Sequence, residues 1–95
     1  MLKIIKSKSF RKDEKLAKKQ NLDLSKLDFV INQLANHKQL DPKYYDHKLS
    51  GSFSSFRECH IEPDWILVYS IIDQFLELYL FRTGSHSNIF NKERR

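Results

Sequence analysis

A single cysteine, Cys59, rules out an intramolecular disulfide. It lies in a strand-like segment, where the expected state is a buried, inert thiol. Long apolar runs are also missing. The longest, Trp65 to Ile72, has eight residues and includes Ser70, far short of the ~20 that span a bilayer. No leader pattern opens the chain. These absences predict a soluble, cytoplasmic protein with no membrane partner. No HxxxH or CxxC pair occurs, so zinc has no compact ligand pair to build on; neither metal nor cofactor is expected. Nucleophilic catalysis is disfavoured too. Cys59 falls on the strand face opposite His60, and Ser85 and Ser87 have no evident base–orienter pair. Internal repeats and low-complexity segments are absent.

What remains is a charged chain of 95 residues, 40% apolar and 31% charged, read as one domain over 1–95. A chain of this length buries roughly 60–65% of its unfolded surface, enough for one modest core. The net charge of +5 is unevenly placed: residues 1–26 hold nine Lys/Arg against three Asp/Glu, and the rest hold eight against nine. A basic N-terminal third suits contact with a polyanion or an acidic protein. A solvated helix face explains it equally well.

The pattern reads as an α+β fold. Leu2–Ile5 is a short β-branched run, a first strand. Ser7 or Ser9 caps a helix through about Gln20, with Phe10 and Ala17 on its apolar face. Asp13 and Glu14 fall in its first turns and Lys15, Lys18 and Lys19 near its end, the polarity a helix dipole favours. A second helix, about Ser25 to His37, places Leu27, Val30, Ile31 and Leu34 on one stripe. Leu40–Ser55 is rich in turn formers and irregular. Three strands then follow closely: Phe56–Ile61, Trp65–Ile72 and Phe75–Arg82. They predict an antiparallel meander with the two-helix hairpin packed on one face. The tail, Asn91–Arg95, reads as frayed.

The meander makes a geometric prediction. The end of its first strand, the start of its second and the end of its third share one edge. His60, Asp64, Trp65, Arg82 and His86 should cluster there. Two imidazoles, a carboxylate and a guanidinium suit acid–base cleavage of an RNA phosphodiester, in which the 2′-OH is the nucleophile. Free imidazole titrates near pH 6.5, which fits it for either proton role. Trp65 or Phe90 could stack on a splayed base. Residue types alone leave a non-catalytic binding surface open.

Three segments carry a family resemblance: Asp46-His47-Lys48-Leu49-Ser50-Gly51, the run from Phe56 to Tyr69, and Arg82-Thr83-Gly84-Ser85-His86-Ser87-Asn88-Ile89-Phe90. Together they resemble the YafQ branch of the RelE/ParE toxin superfamily, in order and with compatible spacing. The resemblance implies a RelE-like fold. It also implies a type II toxin that cuts mRNA on the ribosome without metal, leaving a 2′,3′-cyclic phosphate. Carried over, His47, His60, Asp64 and His86 form the acid–base set, with His86 as general acid and His60 with Asp64 on the base side. Trp65 and Phe90 position mRNA, Arg82 meets the scissile phosphate, and Lys48 and Arg57 are further substrate contacts. The implied partners are the ribosome, mRNA and an acidic antitoxin with a ribbon-helix-helix half, through which alone operator DNA is reached. The alternatives are a non-cleaving module, acting as corepressor or ribosome blocker, and the gyrase poisoning of the ParE branch.

Overall fold

Ser7 joins the first strand to the first helix. The computed structural model describes residues 1–90, so the expectation for the tail lies outside the described residues. Strand β1 (Lys3–Lys6) ends at Ser7, whose hydroxyl accepts from the Phe10 amide at 2.9 Å and donates to the Phe81 carbonyl at 2.6 Å. One side chain thus caps helix α1 (Lys8–Lys19) and ties it to the sheet. Phe10 and Ala17 are buried, as their spacing predicts, and the lysines face solvent. Asn21 adopts a left-handed φ of 60° after α1. Asp23 then caps helix α2 (Leu24–Ala35), accepting from the Ser25 amide at 3.0 Å. Leu27, Val30, Ile31 and Leu34 form its buried stripe.

Asp13 and Glu14 do not serve the helix dipole. They lie beyond the first turn of α1 and make cross-structure pairs instead. Glu14 holds Lys6 at 3.1 Å. Asp13 accepts from Arg82 Nε at 2.7 Å, Arg82 Nη2 at 3.1 Å and the Thr83 amide at 3.0 Å.

Among the described residues, five strands make one sheet in the order β1-β5-β4-β3-β2. Strand β2 is two residues (His47–Lys48), β3 is Arg57–Glu62, β4 is Trp65–Ile72 and β5 is Glu77–Gly84. The meander β3-β4-β5 is antiparallel, as its short connections require. Two features exceed the sequence reading. β1 pairs parallel with β5, and β2 adds a short edge to β3. Among the described residues no strand continues the outer edge of β5 beyond β1, and Asp13 takes up the Thr83 N–H there.

β4 is buried on both faces, as its continuous apolar run predicts. Trp65, Leu67 and Tyr69 join the core under the helices, with Cys59, Leu78 and Leu80. Ile66 and Val68 are also fully buried but point to the other face. A bulge in β5 decides what sits over them. Val68 pairs with Arg82 and Tyr69 with Leu80, leaving Phe81 as the extra residue. A one-residue slip exchanges the faces of everything beyond it. Arg82 therefore joins the Val68 face, and Thr83 turns into the core, 2% exposed.

The Asp13 clasp gives a first prediction. Asp13→Ala should cost about 2 kcal/mol of stability, because it strands a guanidinium and an amide N–H together. Thermal unfolding checks this; an unchanged midpoint would show that solvent replaces the clasp.

Candidate active site

The cross-strand register builds one row of side chains on the face away from the helices. His47 stands opposite Glu58, Glu58 opposite Val68, and Val68 opposite Arg82. The next row is His60, Ile66 and Gly84. Gly84 has φ 147°, a conformation open to glycine, and it releases the chain from β5 into helix α3 (His86–Phe90). Ser85 supports this short helix by accepting from the Asn88 amide at 3.1 Å. The turn returns His86 to the sheet.

The centre of the arrangement is Glu58, whose side chain is 4% exposed. His86 Nε2 lies 3.0 Å from both of its oxygens. His47 Nε2 and His60 Nε2 each lie 3.5 Å from Oε2. A buried carboxylate needs compensating charge and hydrogen bonds; here His86 supplies the hydrogen bonds, and the other two rings stand close by. Backbone carbonyls set two of the rings. His47 Nδ1 is 2.7 Å from the Tyr45 carbonyl, and His60 Nδ1 is 3.3 Å from the Pro63 carbonyl. A carbonyl only accepts, so both Nδ1 atoms carry hydrogen, and the neutral ring offers its lone pair at Nε2. His86 is the reverse: Nε2 faces the carboxylate and carries hydrogen. Its Nδ1 makes no hydrogen bond among the described residues.

His47 is held by its neighbour in sequence. Asp46 accepts from the Tyr69 hydroxyl at 2.6 Å and from Arg57 Nε at 3.3 Å. Burial and the bond to Asp46 push the Tyr69 hydroxyl well above its ordinary pKa, so it stays a donor. This fastens the start of β2 through the sheet. Burial likewise pushes the Cys59 thiol up, in keeping with an inert core sulfur.

Of the residues expected to cluster, His60 and His86 do, with ring centroids 5.6 Å apart. His47 joins them from the irregular loop. Phe90 lies 5.9 Å from the His86 ring and 5.2 Å from Phe53. A recess of about 330 Å³ opens there, between His47, Phe53, His86 and Phe90. Arg82 is on the same face, separated from Glu58 by Val68, with its guanidinium clasped by Asp13. The bond to Asp13 outweighs burial and raises its pKa further, so the cation is permanent.

Four expected residues stand elsewhere. Trp65 is 2% exposed, and its Nε1 donates to Thr83 Oγ1 at 2.9 Å. It is a core anchor with no face open to a base. Asp64 is exposed on the β3–β4 turn and makes no hydrogen bond or ion pair among the described residues. Lys48 and Arg57 pair with each other across β2 and β3, on the opposite sheet face from His47 and Glu58. Arg57 is also engaged by Asp46.

The residue that sequence reasoning passed over is Glu58. Its alternation with His60 put both on one face, but a glutamate on a half-exposed strand is ordinarily solvated. The aromatic layer beside the site was missed as well. Phe81 stacks on Phe56 at 4.7 Å, with Tyr79 and Phe53 alongside.

Comparisons with known proteins agree with this architecture. Residues 2–91 match the family model described as a bacterial toxin of type II toxin–antitoxin system, YafQ. The mRNA interferase toxin YafQ of Escherichia coli K12 is 41% identical over 85 residues, 88% of this chain and 90% of that protein. The metal-bound toxin from Helicobacter pylori has a crystal structure similar to this chain, with TM-score 0.90 and 49% identity over 95% of this chain and 100% of that one. The toxin in the E. coli DinJ–YafQ complex gives TM-score 0.87 and 39% identity over 96% of this chain and 100% of that one. With its sheet order, its terminal histidine turn and these matches taken together, the chain belongs to the YafQ family of type II toxin–antitoxin toxins, within the RelE/ParE superfamily.

Proposed function

We propose that this toxin is a ribosome-dependent endoribonuclease that cuts mRNA by acid–base catalysis at Glu58, His60 and His86, with His47 assisting. The observation that carries the reading is a buried carboxylate ringed by three imidazoles whose ring nitrogens are set differently. His60 Nε2 takes the proton of the 2′-OH as that oxygen attacks phosphorus. The P–O5′ bond breaks, and His86, as imidazolium, gives its Nδ1 proton to the departing oxygen. The products are a 2′,3′-cyclic phosphate and a 5′-hydroxyl. Arg82, with the N–H groups that Asp13 does not use, faces the phosphate. Phe90 positions a flanking nucleotide.

Glu58 takes the place first expected of Asp64. Before the step it faces the His86 imidazolium at 3.0 Å, and afterwards it faces the newly protonated His60 at 3.5 Å. One positive ring balances the buried carboxylate throughout, so the proton moves without leaving a buried charge unpaired.

The partners follow from the family. A cognate antitoxin binds the toxin, as DinJ binds YafQ in the similar complex. The solvent-facing lysines of α1 suit an acidic segment of that partner or ribosomal phosphates.

Glu58, His60 and His86 also present ligand atoms within 4.8 Å of one another. A transition metal held there would act as a Lewis acid and would occupy the ring nitrogens that the proton chemistry uses. Cleavage is therefore expected to survive EDTA and to fall when zinc or copper is added. Primer extension on ribosome-bound mRNA reads both arms. New 5′ ends after toxin addition support the enzyme; arrest without new ends would indicate a binding-only toxin, and loss in EDTA restored by metal would overturn the metal-free mechanism.

A further inference from the structure

A second, larger groove opens on the other side of His60. It has a volume of about 920 Å³ and runs between α2 and the Pro42–Tyr45 turn, with His60 in its wall. Volumes in this range are typical of ligand sites. Its aromatic lining is Phe29, Tyr44 and Tyr45. Phe29 is 53% exposed and Tyr45 70% exposed, so neither ring is placed by the needs of the core. Tyr45 has φ 48°, which is costly for a bulky residue. From that turn its carbonyl holds His47, and its ring meets His60 edge-on at 5.9 Å. The Lys43 ammonium lies 5.3 Å from the Tyr44 ring and has no carboxylate partner among the described residues. Lys26, on the opposite wall, is paired with Glu62 at 2.8 Å. The groove thus carries two ammonium groups against one carboxylate.

We infer that this groove is a nucleobase subsite for the RNA residue next to the scissile phosphate. Tyr45 and Phe29 are the stacking surfaces, and Lys43 meets the backbone. The inference rests on the endoribonuclease reading. An RNA strand crossing the histidines has a nucleotide on each side of the cut. The Phe53–Phe90 recess can take one, and this groove, continuous with His60, takes the other. Exposed aromatic faces beside an unpaired cation are the usual means of holding unstacked bases. The subsite also makes these side chains determinants of which sites are cut.

The test uses the full-length toxin on programmed ribosomes, with cut sites mapped across a set of mRNAs. Tyr45→Ala should lower cleavage at preferred sites by roughly 5- to 100-fold, the worth of one base–aromatic stack. It should also flatten the site preference. Tyr45→Phe should retain both, since stacking needs only the ring. A ring that merely positions His60 predicts a uniform loss at all sites with a shifted pH profile, and that result would overturn the subsite. So would unchanged cutting by Tyr45→Ala and Phe29→Ala combined with weakened antitoxin capture, which would assign the groove to protein. A 4-thiouridine mRNA made uncleavable by 2′-deoxy substitution provides a readout independent of chemistry. Photo-crosslinks to Tyr45 or Phe29 support the subsite, and their absence overturns it. A wild-type toxin that cuts nothing would instead count against the endoribonuclease reading.

Discussion

Replacing His86 by alanine is expected to lower kcat for mRNA cleavage by about 10²–10⁴-fold, the worth of one placed proton donor. The fold should survive, because His86 is half-exposed on a short terminal helix and supports no part of the helix-side core. The melting midpoint should move by no more than about 8 °C, the shift that about 1 kcal/mol produces in a domain of this size. His86→Gln sharpens the test. Its amide can still donate to Glu58, but it has no proton to give the leaving oxygen. The glutamine variant should be as inactive as the alanine variant and better folded. Near-normal kcat in either would remove His86 as the general acid.

Glu58→Gln should have a comparable effect on rate, about 10²–10³-fold in kcat with KM little changed. The substitution preserves shape and removes the charge. The one positive ring then has no counter-ion, and neither the imidazolium at His86 nor the one that forms at His60 is stabilised. The stability effect should run the other way. Glutamine fills the same space without the desolvation cost of a buried charge, so the glutamine variant should melt at the same temperature or higher. A less active protein that is at least as stable is the signature of a carboxylate kept for chemistry. Single-turnover cleavage and thermal melts on one preparation check both halves. Full activity with lost stability would make Glu58 a structural residue.

Much of the frame was legible because local rules governed it. Ser7 before Phe10, and the 3–4 spacing of Leu27, Val30, Ile31 and Leu34, placed both helices within a residue or two. The short links at Pro63 and Asp73 forced β3, β4 and β5 into a meander. The parallel pairing of β1 with β5 was not legible, since it joins residues some seventy positions apart and leaves no local trace. At the site, His47, His60 and His86 were named by residue type and family pattern. Glu58 was not, because burial of a charge is a tertiary fact that alternation cannot report. Arg82 was placed at a strand end, whereas β5 continues past it and a bulge at Phe81 chooses its face. Trp65 was assigned to mRNA by family pattern, whereas its indole is buried and donates to Thr83 inside the core.

The central claim is that RNA supplies its own nucleophile and the histidines around Glu58 only move protons. The most direct measurement is cleavage of a ribosome-bound mRNA carrying one 2′-deoxy nucleotide immediately 5′ to the cut. Cleavage at that position should vanish while the same mRNA is still bound and is still cut at unmodified sites. Continued cutting there would show that water attacks the phosphate, and would contradict the proton-transfer scheme at His60.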